Sequence, residues 1–167
     1  MFQEINKLPC GQLLEIGVGH GKHLRLYKKH QITGIDTSQA MLQTAQKHKK
    51  ENMQLLHMNG ESLHFADDTF DYVVLSHVMA VVDHPDKVLE ETHRVLKPGG
   101  QIFILNHFTP NNSLKHIDKA FQRVGKLFHF KSLFYTSSLK GLHKFTLLKE
   151  INVGQLSYFK LLIYTKL

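Results

Sequence analysis

The feature that most constrains the fold is a short apolar run that ends in three alternating glycines. Gln12–Ile16 reads as a buried strand, and Gly17-Val18-Gly19-His20-Gly21 follows at once. Glycines let a main chain approach a ligand closely and adopt positive φ. A helix is expected to open at Gly21 and run to about Lys29, its first turn presenting unpaired N–H groups. Strand, bare turn and helix make a pocket of backbone groups. They do not name its occupant, and a tight strand–helix turn without a ligand has the same pattern.

Downstream, apolar runs alternate with helical patterns. Gln31–Ile35 is a second strand, and Ser38 caps a helix through about Lys50. Met53–Met58 is a third strand, and Phe70–Leu75, entered through Asp67-Asp68-Thr69, is a fourth. Pro85 suits the first turn of a helix through Leu96, with Asp83 or His84 near its cap. Lys97-Pro98-Gly99-Gly100 stops that helix and leads to a fifth strand, Gln101–Asn106. The alternation implies a parallel sheet covered on both faces. Further on, Ser113–Val124 suits a helix ending at Gly125, and Lys126–Leu142 is ambiguous. Phe145–Val153 and Leu156–Tyr164, joined at Gly154, suit an antiparallel pair. With no repeat or linker, 167 residues suit one domain.

The second strand is followed by Asp36, 19 residues after Gly17. A carboxylate there can accept both ribose hydroxyls of a nucleoside. Spacing then narrows the cofactor. Dinucleotide sites favour Gly-x-Gly-x-x-Gly, whereas here the third glycine falls at Gly21 and the next residue is Lys22. Glu15, beside the loop, would repel a pyrophosphate but suits an ammonium such as that of a methionine moiety. Gly21-Lys22 is followed by His23 rather than Ser or Thr, so the phosphate-loop pattern is absent.

Leu14–Gly21, Ile32–Leu42, Phe65–Val73 and Arg94–Gly100 together resemble the motifs of the class I S-adenosylmethionine-dependent methyltransferases, in order and at their usual spacing. The resemblance implies an α/β, Rossmann-like doubly wound, mostly parallel sheet of about seven strands with an antiparallel C-terminal strand. It implies S-adenosyl-L-methionine as cofactor and S-adenosyl-L-homocysteine as product. Glu15 would hold the methionine ammonium, directly or through water. The backbone of Gly17, Val18, Gly19, His20 and Gly21 would line the methionine portion. Asp36 would bind the ribose, with Thr37 and Met41 near the adenosine. Asn59, Gly60, Glu61, Ser62 and Leu63 occupy the adenine-edge segment, with Asn59 where Asp is commoner. Ser76 and His77 would face the sulfonium.

Val81–Glu91 and Ile104-Leu105-Asn106-His107-Phe108 resemble more closely the soluble, membrane-associating phosphatidylethanolamine N-methyltransferases of bacteria. A phospholipid amine is then the implied acceptor, with His107, Asn106 and His77 as candidate catalytic groups. A small molecule or quinone precursor is the alternative acceptor. Those enzymes normally carry a further N-terminal helical segment over the cofactor. Here the first strand begins almost at once, so residues 1–167 are expected to form the domain without that cap. A cofactor-binding module that needs a partner or an N-terminal extension is a further alternative.

Charge bears on partners. Residues 101–167 hold 10 Lys/Arg against 2 Asp/Glu, whereas residues 1–100 hold 11 against 12. Phe121–Tyr135 interleaves five aromatics with Arg123, Lys126 and Lys131, which suits peripheral contact with an anionic membrane. The same composition suits a solvated basic surface, and nucleic acid is the less favoured partner. Cys10 has no second cysteine to pair with, Met1–Pro9 has no apolar leader core, and no run is long enough to span a bilayer. These point to a cytoplasmic setting, peripheral to the inner membrane surface. Thirteen histidines include no pair four apart, so no metal site is expected.

Overall fold

The computed structural model describes residues 1–107, 139–153 and 159–167. Seven strands form one sheet: β1 (Gln12–Ile16), β2 (Gln31–Asp36), β3 (Met53–His57), β4 (Phe70–Ser76), β5 (Leu96–His107), β6 (Phe145–Val153) and β7 (Phe159–Lys166). Their order is β3-β2-β1-β4-β5-β7-β6. Strands β1 to β5 pair in parallel, and β7 is antiparallel to both β5 and β6. Helices α1 (Phe2–Ile5), α2 (Gln39–Ala45) and α3 (Pro85–Val95) flank the sheet. The fold is the Rossmann-like α/β arrangement that the sequence implied.

Side chains alternate across a strand, so each strand feeds two cores. Leu14, Ile16, Val73, Leu75, Ile102 and Ile104 meet Val88, Leu89 and Val95 of α3 on one face. Leu13, Tyr72, Val74, Phe103 and Ile163 meet Ile5 of α1 and Leu42 and Ala45 of α2 on the other. Strand order reverses between β1 and β4. In open parallel sheets, ligands bind at that reversal, outside the carboxyl ends of the strands.

The helix expected over Gly21–Lys29 does not form. A single 3-10 turn, Leu24–Leu26, takes its place, and Tyr27 leaves it with extended backbone at φ −72° and ψ 135°. Leu24 and Tyr27 are both fully buried. A 3-10 turn aligns side chains three apart. The carbonyls are satisfied from outside: Asn6 Nδ2 donates to Leu26 O, and Lys50 Nζ donates to Arg25 O and Tyr27 O. The helix N-terminus expected to face a ligand is therefore absent here.

Helix α2 starts as expected, with Ser38 Oγ accepting from the Met41 N–H at 3.3 Å, but gives way at Gln46–His48 to a 3-10 turn. The run Gln46–Lys50 offers no apolar side chain to bury, and Lys50 instead serves the neighbouring turn. Strand β5 begins at Leu96, earlier than expected. Phe70 pairs with Leu96 and Tyr72 with Gln101 across an irregularity, and Gly99 has φ 75°. Lys97–Gly100 is thus absorbed as a bulge rather than a separate turn. The closing antiparallel pair is present, with β7 described from Phe159 onward and the expected start at Leu156 outside the described residues. The expected helix Ser113–Val124, its Gly125 cap, the aromatic–basic stretch Phe121–Tyr135 and the turn at Gly154 lie outside the described residues.

Candidate functional site

The glycine loop folds over the carboxyl end of β2. The Gly17 and Val18 N–H groups both donate to Ile35 O, at 2.8 and 3.1 Å. Gly17, Gly19 and Gly21 have φ of 78°, 52° and 68°, a region that costs an L side chain roughly 1–2 kcal/mol. A Cβ on Gly17 would stand 2.4 Å from Val78 Cγ2, and one on Gly21 would stand 2.6 Å from Ala45 Cβ of α2. These two glycines permit close packing. A Cβ on Gly19 would meet nothing within 4 Å. Its bare backbone faces open space that a ligand can occupy.

Asp36 is fixed by that loop. Its Oδ2 accepts from the Gly19 N–H at 2.8 Å and its Oδ1 from the Ser38 N–H at 2.9 Å. Each carboxylate oxygen keeps a lone pair, so Asp36 is oriented yet still able to accept from a vicinal diol. A cavity of about 250 Å³ opens beside it, walled by Ile16, Ile35, Val78 and Val82 and edged by Asn59, Glu61 and Asp83. Gly60 brings the Asn59 turn down onto β1, since a Cβ there would lie 2.6 Å from Ile16 Cγ2. Asn59 Oδ1 accepts from the Glu61 N–H, and Glu61 Oε1 accepts from the His84 N–H. A second cavity of about 420 Å³ adjoins, lined by Thr37, His57, Asn59, Ser62 and His64.

Some expected residues lie elsewhere. Leu63 is a core residue, 5% exposed, whose N–H donates to Glu91 Oε2, and it lines neither cavity. Met41 sits partly buried in the first turn of α2 and also lines neither. Val18 is buried in the core beneath the loop, and His20 is exposed on it. The sequence had not made Val78, Val82 or Asp83 site candidates: Asp83 entered as a helix cap, and Val82 and Asp83 only within the Val81–Glu91 resemblance. Their place after β4, at the sheet reversal, is the signal that could have found them.

At the carboxyl ends of β4 and β5, Ser76 pairs with Leu105. His77 has φ 60°, its N–H donates to Leu105 O at 2.7 Å, and its ring stands edge-on to Phe159 at 5.6 Å. Positive φ at a non-glycine residue costs about 1–3 kcal/mol and clusters at functional sites. Burial first, and then the charge of His23, lower the pKa of His77, so its imidazole is neutral at pH 7. Asn106 is buried in β5 opposite Lys160. His107 closes β5 opposite Phe159, and its side chain lies outside the described set.

Glu15 is fully buried and lines neither cavity. Its Oε1 is 2.6 Å from His23 Nε2. Neither its Oε2 nor the Tyr27 hydroxyl has a partner at full hydrogen-bond geometry, although the hydroxyl lies close enough to the Glu15 carboxylate to be acted on by it. Burial opposes a charge on His23, but the Glu15 hydrogen bond and charge outweigh it, raising the imidazole above its ordinary value. Burial, reinforced by Glu15, pushes the Tyr27 hydroxyl up strongly. Neither His23 nor Tyr27 was a site candidate from sequence, because nothing in the residue pattern ties either of them to Glu15.

The residues fit a nucleoside with an amino-acid arm. Asp36 offers a diol acceptor, the apolar walls a slot, Gly19 a clear path, and Glu15 a buried carboxylate with an unpaired oxygen. A family profile described as a methyltransferase domain matches residues 14–104. A phosphatidylethanolamine N-methyltransferase of Cereibacter sphaeroides is 40% identical over 121 residues, 68% of this chain and 59% of that protein. A demethylmenaquinone methyltransferase of Listeria welshimeri is 39% identical over 84 residues, 48% of this chain and 36% of that protein. The chain thus spans only part of the length of these relatives. A solved S-adenosylmethionine-dependent methyltransferase of Methanosarcina mazei superposes with a TM-score of 0.76 over 99% of this chain and 96% of that one, at 19% identity. That likeness is one of fold.

Proposed function

The chain belongs to the class I S-adenosylmethionine-dependent methyltransferases, and from that premise we propose that it N-methylates phosphatidylethanolamine or a related phospholipid amine. The observation that carries the acceptor is the 40% identity to a phosphatidylethanolamine N-methyltransferase. When bound, S-adenosylmethionine supplies a methyl group on a sulfonium and leaves as S-adenosylhomocysteine. The residues of this chain do the holding. Asp36 accepts the ribose hydroxyls with the lone pairs left by Gly19 and Ser38. Asn59, Gly60 and Glu61 edge the adenine, with Thr37 and Ser62 beside it. The Gly17–Gly21 backbone lines the methionine portion, and Glu15 receives its ammonium, directly or through water.

An amine must shed a proton before it attacks, and alignment with the methyl–sulfur axis does most of the catalytic work. His107, at the carboxyl end of β5, is the proposed proton acceptor. His77, held neutral just after the adjacent β4, is the second. Asn106 and Ser76, at the carboxyl ends of the same two strands, would orient the amine. The basic excess of residues 101–167 would hold the enzyme at an anionic, cytoplasmic membrane surface.

The test is labelled methyl transfer into vesicles of phosphatidylethanolamine and an anionic lipid. Label in the lipid amine is the expected result. Label passing instead to a demethylmenaquinone-type acceptor would favour the second reading, which the 39% identical relatives support. Activity only with an added N-terminal extension or partner would identify a dependent module.

A further inference from the structure

Glu15 is sealed from three sides. His23 holds Oε1, the Tyr27 hydroxyl faces the carboxylate, and Phe2 of α1 lies against both rings, at centroid distances of 5.9 Å from His23 and 5.0 Å from Tyr27. A buried carboxylate needs a cationic or donating partner, because leaving it bare costs several kcal/mol. The Glu15–His23 contact is therefore this protein's own way of holding a charge inside the site. It is also incomplete, since Glu15 Oε2 is buried and unpaired. Unsatisfied buried oxygens are rare enough to call for a partner.

We propose that His23 is a stand-in for the cofactor's ammonium: its imidazolium neutralises Glu15 in the free protein and loses a proton when the ammonium takes that carboxylate. The proposal rests on the reading that Glu15 receives the ammonium. No covalent bond changes. The neutral imidazole keeps its Nε2–H on Oε1, the ammonium engages Oε2 directly or through one water, and the Nδ1 proton passes to solvent. The His23 side chain is 32% exposed, and Nδ1 has no hydrogen-bond partner among the described residues, so that edge has a way out.

The groups facing His23 agree with one cation at a time. Glu15 from β1 is the carboxylate in contact with it. Tyr27 contributes a neutral hydroxyl. His77, just after β4, is close enough for the His23 charge to disfavour a second one. From α1, Glu4 is committed to Lys7 and Lys149, and the Met1 amino group is already made less basic by burial. His20 and Lys22 on the loop are exposed and add positive charge only. An imidazolium and an ammonium together would place two cations on one carboxylate, so the more acidic of the two gives way.

The sign follows by linkage. The free-state pKa of His23 is raised, and cofactor binding lowers it, so binding releases a proton wherever free His23 is charged. Affinity then falls as pH falls, by up to about tenfold per pH unit below the free-state titration, and levels off above it. Calorimetry with S-adenosylhomocysteine, in buffers of different ionisation enthalpy between about pH 6 and 7.5, reads the proton directly. Up to one proton should leave per molecule bound. Methylthioadenosine, which has the nucleoside and thioether but no amino-acid arm, should release none. His23→Gln, which keeps a donor to Glu15, should abolish the release and flatten the affinity against pH.

No release from the unaltered protein, or equal release from His23→Gln, would overturn the proposal. Glu15→Gln separates the two levels. Unchanged S-adenosylhomocysteine affinity in that variant removes the ammonium reading and the proposal with it. Weakened binding, with no proton release from the unaltered protein, removes the His23 proposal alone. Nitrogen NMR of the His23 imidazole needs no substitution. Its titration midpoint should drop when S-adenosylhomocysteine is saturating, and an unmoved midpoint contradicts the proposal.

Discussion

Three glycines in one loop answer to different pressures, and single methyl groups separate them. Gly21 is pressed against Ala45 at both Cβ and Cα, 2.6 and 2.9 Å from an added Cβ. Gly21→Ala should destabilise the fold by about 1–3 kcal/mol through overpacking, with roughly 1–2 kcal/mol more from positive φ, seen as a lower denaturation midpoint. Gly19→Ala meets no neighbour, so its stability cost should be the backbone term alone. It should nevertheless weaken S-adenosylhomocysteine by at least about tenfold, or 1.4 kcal/mol, because the methyl enters the ligand's space. Equal effects of the two substitutions on binding would contradict the division. At this scale the sequence was most legible where residue type and backbone demand coincide, as at Gly17, Gly19 and Asp36. Leu63, named with the adenine-edge segment, turns its side chain into the core, because a motif says which segment borders a ligand, not which side chain turns inward. Its N–H bond to Glu91 and its apolar contacts decide that. His23 and Tyr27 were invisible because their partnership with Glu15 depends on a turn that propensity did not foretell.

Among the elements, α3 does more than cover the sheet. Arg94, near its end, donates to Leu63 O and Phe65 O and to the carboxylates of Glu91 and Asp67. It therefore staples the chain between the cavity edge at Asn59–Glu61 and β4. Arg94→Met should cost about 1–3 kcal/mol, mainly from carbonyls and a carboxylate left short of a donor, and should also raise the Kd for S-adenosylhomocysteine as the Asn59 turn loosens. A stable variant with unchanged affinity would show that the staple does not reach the site. Strands were read closely from sequence because apolar runs of β1, β2 and β4 are short and sharply bounded. The first helix was not. Its glycine start and apolar Leu24 and Tyr27 suit a helix locally, but Asn6 and Lys50 offer its carbonyls other donors from distant parts of the chain. The bulge at Lys97–Gly100 has the same origin: pairing with β4 on both sides holds a Pro-Gly-Gly run inside a strand.

For the whole molecule, charge sets two expectations. Glu4 bridges Lys7 and Lys149, which together lower its pKa from 4.5 to about 2. Arg94 lowers that of Glu91, and in Asp71 the Lys97 and Gln12 bonds outweigh burial to lower it too. Carboxylates depressed on folding contribute stability that is present above their unfolded values and is lost as pH falls towards the folded ones. The melting temperature should therefore hold above about pH 5 and fall as pH drops towards 2. In Glu4→Gln that dependence should be shallower, and an identical profile would remove the α1–β6 bridge as a contributor. The second expectation concerns the basic C-terminal two-fifths. Binding to anionic vesicles should weaken steeply with added salt, and salt-insensitive binding would exclude an electrostatic attachment.

The central claim is that the loop and Asp36 together hold the methyl donor, and calorimetric titration with S-adenosylhomocysteine tests it most directly. The unaltered protein should bind one molecule saturably, and Gly19→Ala should lose most of that affinity while remaining folded. No binding heat at any pH in the unaltered, folded protein, or full affinity in Gly19→Ala, would contradict it.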